Sequence, residues 1–228
     1  MDTLEKQVES DFFSIHNLSI AFGGLTAVDN ISFDVAKKSI FSIIGPNGAG
    51  KTTIFNCISG LYTPDRHIHI KTGVLSGATF FRRKSPAARE EIKHRERVEQ
   101  IIDLLDLQSA RNQFVGGLPY GTQKLIELGR ALALEPELLL LDEPSAGMNT
   151  EEKQDQDLIF WIKDIQDVLG VTILLIEHDM KVVMDISDRI LAINFGKFIT
   201  EGGPEEVHKH PEVLKAYLGE DEIIDQTA

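Results

Sequence analysis

The run Gly45-Pro46-Asn47-Gly48-Ala49-Gly50-Lys51-Thr52, followed by Thr53, stands directly after the mostly apolar stretch Ile40 to Ile44. It fits G-x-x-x-x-G-K-[ST] at the end of a strand, a pattern that commits the chain to a strand, a tight loop and a helix in succession. The glycines allow consecutive backbone N–H groups to turn inward around an anion, where side chains would obstruct them. Lys51 brings a positive charge to the β- and γ-phosphates of a nucleotide, and Thr52 a hydroxyl to Mg²⁺. The helix opening here aims its N-terminal dipole at the same point. The expected phosphate-binding residues are therefore Gly45, Asn47, Gly48, Ala49, Gly50, Lys51, Thr52 and Thr53.

Two further segments end in acidic groups. Glu137 to Leu141 reads E-L-L-L-L and closes on Asp142-Glu143-Pro144, while Val171 to Ile176 reads V-T-I-L-L-I and closes on Glu177-His178-Asp179. Neither run alternates, so both are expected to be parallel strands buried on both faces. Between them lies a helix pattern with Asn149 as cap, Glu152 three residues on, an apolar stripe through Leu158, Trp161, Ile162 and Ile165, and Gly170 as stop. Strand, helix and strand at this spacing form a βαβ crossover, so the fold class is α/β with a parallel central sheet. Open α/β sheets bind ligands at the C-terminal tips of their strands. There Asp142 is suited to hold Mg²⁺ through water, Glu143 to deprotonate an attacking water, and His178 to reach a γ-phosphate.

Ahead of the loop, Phe12 to Ile15, Leu18 to Phe22 and Ile31 to Val35 read as short antiparallel strands with a Gly23-Gly24 turn. The helix after the loop should run to about Ser59 and stop on a left-handed Gly60. Ser85-Pro86 opens a charged helix whose stripe is Val98, Ile101, Ile102 and Leu105, and a second helix begins near Gly121 with Leu125, Leu128 and Leu132 inward. Ile190 to Phe195, Gly196, and Lys197 to Thr200 make a late hairpin, and residues 205–218 a short helical pair. The expected plan is a β subdomain with the phosphate loop over 12–60, a helical region over 72–134, a catalytic core over 135–200 and a helical tail over 201–228. With 36 acidic against 23 basic residues the net charge is −13, which argues against nucleic acid as the main ligand. The one cysteine, Cys57, reads as a small buried hydrophobe, and no apolar run approaches the roughly 18 residues of a membrane span.

Taken in order, Gly45 to Thr53, Leu118-Pro119-Tyr120-Gly121-Thr122-Gln123, Leu138 to Pro144, Ser145 to Asn149 and His178 resemble an ATP-binding cassette ATPase, a P-loop NTPase fold. The variants Leu118 to Gly121, Ala146 to Asn149, Ile176 to Met180 and Ala216-Tyr217-Leu218-Gly219-Glu220 are similar to the ATP-binding subunits of branched-chain amino-acid uptake transporters. The resemblance implies ATP and Mg²⁺ as ligands, Lys51, Glu143 and His178 as catalytic residues, and Thr52 and Asp142 at the metal. It implies that Phe22 stacks on adenine and that Gly121 meets the γ-phosphate held by a second ATPase subunit, alike or different, so that two chains sandwich two ATP molecules. It also implies transmembrane permease subunits, a periplasmic binding protein and a cytoplasmic, peripheral place on the inner face of the membrane. A motor for lipid or polysaccharide export and a nucleotide-gated switch with impaired hydrolysis are the rival functions.

One departure stands out. After Gly60 the family continues with two more strands and a glutamine that approaches Mg²⁺, whereas here Leu61-Tyr62-Thr63-Pro64-Asp65 runs straight into Arg66-His67-Ile68-His69, and no glutamine lies between Lys51 and Gln100. The expectation is a glutamine-bearing segment near 65–67 that belongs to the polypeptide but escaped observation, with a genuine deletion as the alternative.

Overall fold

A computed structural model describes residues 11–62, 86–147 and 158–218. They fall into two compact units, one holding residues 11–62, 138–144 and 166–218, the other residues 86–137, 145–147 and 158–165.

In the first unit, β1 (Asp11–Phe22) and β2 (Leu25–Ala36) form an antiparallel pair around the Gly23-Gly24 turn. These are two long strands, where the sequence pattern led to three short ones. The difference lies at Asn17 and Asn30, whose φ values of 52° and 55° let each strand pass through an irregularity without ending. Their N–H groups donate to Ser32 Oγ and Ser19 Oγ, so the departures from the ladder leave no orphaned donor there.

The main sheet comprises β3 (Ile40–Ile44), β4 (Leu138–Asp142), β5 (Thr172–Ile176), β6 (Arg189–Asn194) and β7 (Lys197–Gly202), in the order β4-β5-β3-β6-β7. The first four run parallel and β7 returns antiparallel to β6, as the late hairpin anticipated. Every residue of β3 and β5 is buried, as two-sided burial of a central parallel strand requires. β4 departs from that expectation: only Leu139 is fully buried, because the strand has a partner on one side only among the described residues. The side chains of Ile43, Leu174, Ile176, Leu191 and Ile193 from the sheet join Val28 and Ile31 of β2 and Ile54 and Ile58 of the helix Lys51–Ile58 in one core. Gly60, at φ 77°, follows that helix as the left-handed stop. On another cluster, the helices Pro204–His208 and Pro211–Leu218 contribute Val207 and Val213 beside Ile44, Val183, Ile190 and Ala192.

The second unit holds the helices Pro86–Leu104 and Tyr120–Leu132, with Ile101, Leu105, Leu125, Leu128 and Leu132 buried. Gly129 lets them approach: a Cβ there would lie 3.2 Å from Leu105 and 3.3 Å from Ile101. Val98, expected in the buried stripe, is instead 43% exposed and lines an apolar cavity of about 280 Å³ with Ile102, Leu107 and Ile126. In the helix Leu158–Leu169, Ile162 and Ile165 are buried and Gly170 (φ 63°) ends it, as its pattern required. Asn149, Glu152, and the Asp65-Arg66 join lie outside the described residues.

The candidate active site

The site is set by strand register. Across the sheet, Ile43 of β3 pairs with Ile176 of β5, and Ile176 pairs with Asp142 of β4. One row therefore brings the start of the glycine loop, Glu177-His178, and Asp142-Glu143 to the same C-terminal edge.

The loop's shape follows from its glycines. Gly50 stands at φ 102° at the head of the helix, and a Cβ on it would fall 2.6 Å from the Ala27 carbonyl oxygen. Gly45 is wedged so closely that a Cβ would collide with the Ile193 carbonyl oxygen and lie 2.9 Å from the Ala49 Cβ. The cavity this loop encloses measures about 470 Å³ and is lined by Leu25, Thr26 and Ala27, by Asn47 to Thr53, and by Glu143 and Phe195.

Lys51 is buried within it, its ammonium donating to the carbonyl oxygens of Gly45 (2.8 Å) and Pro46 (3.2 Å). Burial pulls its pKa down, and the nearby Glu143 and Asp142 charges pull the other way. Asp142 is raised above the ordinary carboxyl range, first by burial and also by Glu143, against the hydrogen bond from the Thr52 hydroxyl and the Lys51 charge. Thr52 and Asp142 thus meet directly, two hard oxygen donors of the kind Mg²⁺ takes. Among the described residues no three His, Cys, Asp or Glu side chains converge on a metal position.

Glu143 holds its backbone at φ 46°, a left-handed conformation uncommon for a residue with a side chain, and its N–H donates to the Ile176 carbonyl at 2.9 Å. That bond ties Glu143 to the strand that carries His178. The His178 Nδ1 lies 3.9 Å from the Glu143 carboxylate and 3.7 Å from that of buried Glu177. Asp179 then caps the helix Met180–Ile186 by accepting from the Lys181 and Val182 N–H groups, which fixes the path of the chain after His178. Lys51, Thr52, Asp142, Glu143 and His178 are accordingly gathered at one edge. Phe22 is 46% exposed at the hairpin tip, with Tyr62 edge-on at 5.2 Å, and its strand partner Leu25, not Phe22 itself, lines the cavity. Gly121 is buried in the first turn of its helix, in the other unit, where the neighbouring Tyr120 hydroxyl faces the Ala146 carbonyl at 3.4 Å.

Three contributors escaped sequence reasoning. Leu25 to Ala27 and Phe195 line the cavity from two hairpins that carry no ligand-binding signal. The third is Tyr217, whose hydroxyl accepts from the Gly45 N–H at 2.7 Å across 172 residues of sequence.

Residues 28–146 match the ABC transporter family, and residues 199–223 match a branched-chain amino acid ATP-binding cassette transporter family. The high-affinity branched-chain amino acid transport ATP-binding protein LivG of Salmonella typhimurium is 35% identical over 91% of this chain and 97% of its own. BraF of Pseudomonas aeruginosa, of the same description, is 35% identical over 90% and 97%. Among solved structures, the ADP conformation of an ATP-binding cassette of an ABC transporter superposes with a TM-score of 0.74 at 25% identity, covering 91% of this chain and 98% of that one. A nucleotide-free cassette gives 0.73 at 26% identity, covering 91% and 98%. The alignment with LivG runs over 254 positions, while 91% of 228 residues is about 207, so roughly 47 positions of that alignment have no counterpart here. In the sequence Asp65 is followed directly by Arg66, and that join lies outside the described residues.

Proposed function

The chain belongs to the ABC transporter family, and from that premise we propose that it is the ATP-hydrolysing subunit of a transporter that imports branched-chain amino acids. The observation that carries the chemistry is the Thr52–Asp142 contact at the mouth of a loop whose buried lysine faces its own carbonyls. The solute rests on the identity to LivG and BraF and on the match over residues 199–223.

Lys51, held by the Gly45 and Pro46 carbonyls, exchanges those partners for phosphate oxygens when nucleotide enters. Thr52 and Asp142 hold Mg²⁺, which when bound draws charge from the phosphates. Glu143 accepts the proton of the attacking water, and His178, within 4 Å of it, orients the γ-phosphate side of the site. Phe22 supplies an exposed ring for adenine. Gly121 of a second ATPase subunit completes each site, and hydrolysis reopens the pair. No helix among the described residues is long and apolar enough to cross a membrane. The likeness to LivG and BraF supports permease partners that carry the solute, with this chain peripheral on the cytoplasmic face and a periplasmic binding protein delivering the solute. Cells lacking the gene should lose leucine, isoleucine and valine uptake, and regain it from the wild type but not from Glu143→Gln. Undiminished uptake in the deletion strain would reject the solute.

A second reading draws on the roughly 47 alignment positions without a counterpart. A cassette short of the glutamine-bearing segment would close on ATP and turn over slowly, acting as a nucleotide-gated switch. Single-turnover hydrolysis by the purified chain separates the two.

A further inference from the structure

We propose that Tyr217 is a positioning residue for the phosphate loop: its hydroxyl holds the Gly45 N–H and so fixes the point from which the loop departs. The proposal rests on the ATP-binding function given above and adds to it a residue 172 positions away in sequence.

Gly45 is anchored at both of its backbone polar groups. Its N–H donates to the Tyr217 hydroxyl at 2.7 Å, and its carbonyl accepts from Lys51 at 2.8 Å. Only the second of these anchors is a group the nucleotide needs. When Lys51 turns to phosphate, the Gly45 carbonyl loses its ammonium partner and the Tyr217 bond remains. The next residue, Pro46, has no N–H, so of the pair Gly45-Pro46 Gly45 alone offers a backbone donor.

Tyr217 is itself held in place. It packs from the helix Pro211–Leu218 onto the cluster of Val183, Ile190, Ala192, Val207 and Val213, which also contains Ile44, the residue immediately before Gly45. The apolar contact of the helix with the end of β3 and the polar contact of its tyrosine with the loop therefore reach adjacent residues. Burial pushes the phenol up to about 12, so at neutral pH the hydroxyl stays protonated; it accepts from Gly45 through its oxygen. The loop cannot adjust freely at this point, because Gly45 is wedged between the Ile193 carbonyl and Ala49.

Two substitutions in one helix divide positioning from mere support. Tyr217→Phe keeps the ring and removes the oxygen, leaving the Gly45 N–H unpaired. Val213→Ala loosens the same helix, since Val213 is 2% exposed, and touches no polar contact of the loop. With the purified full chain, calorimetric titration with ATP and Mg²⁺ should show Tyr217→Phe weakening binding about three- to tenfold, the effect of one lost hydrogen bond. Val213→Ala should lower the melting temperature and leave affinity at 15–20 °C, roughly, unchanged. Tyr217→Phe binding within twofold of the wild type overturns the proposal, as does a loss of affinity in both variants that merely follows their loss of stability. Amide exchange in the wild type provides a check free of any variant: slow exchange at Gly45 supports the bond, and exchange at the rate of an open loop refutes it. Failure of the wild type to bind ATP would bring down the assigned function together with this proposal, whereas a binding wild type and an unaffected Tyr217→Phe bring down this proposal alone.

Discussion

Glu143 occupies a backbone region that most residues avoid, and among the described residues it is the one carboxylate that both lines the loop cavity and lies near His178. Strain retained at such a position is consistent with a functional demand on where the carboxylate points. Glu143→Gln keeps the shape and removes the proposed base, so ATP binding should survive while hydrolysis slows by roughly 10²–10⁴. Steady-state phosphate release measures this, and near-normal turnover would remove Glu143 from the mechanism. Gly50 makes a different demand. Its φ of 102° and the Ala27 carbonyl 2.6 Å from a would-be Cβ leave no room for alanine. Gly50→Ala should destabilise the fold by about 2 kcal/mol or more, read from urea unfolding, because both conformation and contact oppose it. Lys51, Thr52, Asp142 and Glu143 were legible in the sequence since each sits at a fixed short offset from a strand end, and backbone geometry translates offset into place. Tyr217 was not, because nothing local announces which distant N–H its hydroxyl meets.

At the scale of elements, burial was read well where one strand had neighbours on both sides and poorly where it did not. β5 is buried throughout as its apolar run required, but β4, with an equally apolar run, is partly open at the sheet's edge. Apolar content reports what a strand tolerates, whereas strand order decides what it receives, and strand order arises from contacts far apart in sequence. The N-terminal hairpin shows the converse error: Asn17 and Asn30 look like turn residues, yet they bend strands that cross-strand pairing keeps whole. The helix Pro211–Leu218 was expected as part of a helical pair, and its energetic tie to the sheet can be followed by pH. The Tyr217 phenol titrates near 10 when unfolded and near 12 when folded, so the fold favours its neutral form. That contribution is complete below pH 10 and is lost as pH rises from about 10 through about 12. Urea midpoints should fall over this window in the wild type and fall less in Tyr217→Phe, other titrations cancelling in the difference. Equal falls would show that Tyr217 does not titrate with the fold.

For the whole molecule, the decisive feature is a shortening relative to relatives that otherwise align over nearly their full length. LivG is covered to 97%, yet roughly 47 positions of its alignment have no counterpart in the 228 residues here, and no glutamine occurs between Lys51 and Gln100. Lys51, Thr52, Asp142 and Glu143, the groups proposed for the chemistry, are held by β3, β4 and the loop. Nucleotide binding should therefore persist, while the step that needs an extra group beside Mg²⁺ and the permease should suffer. The test is a chimaera in which the LivG residues lacking a counterpart are inserted between Asp65 and Arg66. If the shortening limits chemistry, the chimaera should bind ATP with an affinity within about threefold of the parent and hydrolyse it at least about tenfold faster, a barrier difference of about 1.4 kcal/mol. Equal turnover in both would mean that the residues gathered at the strand tips suffice for hydrolysis, and the switch reading would then lose its one supporting observation.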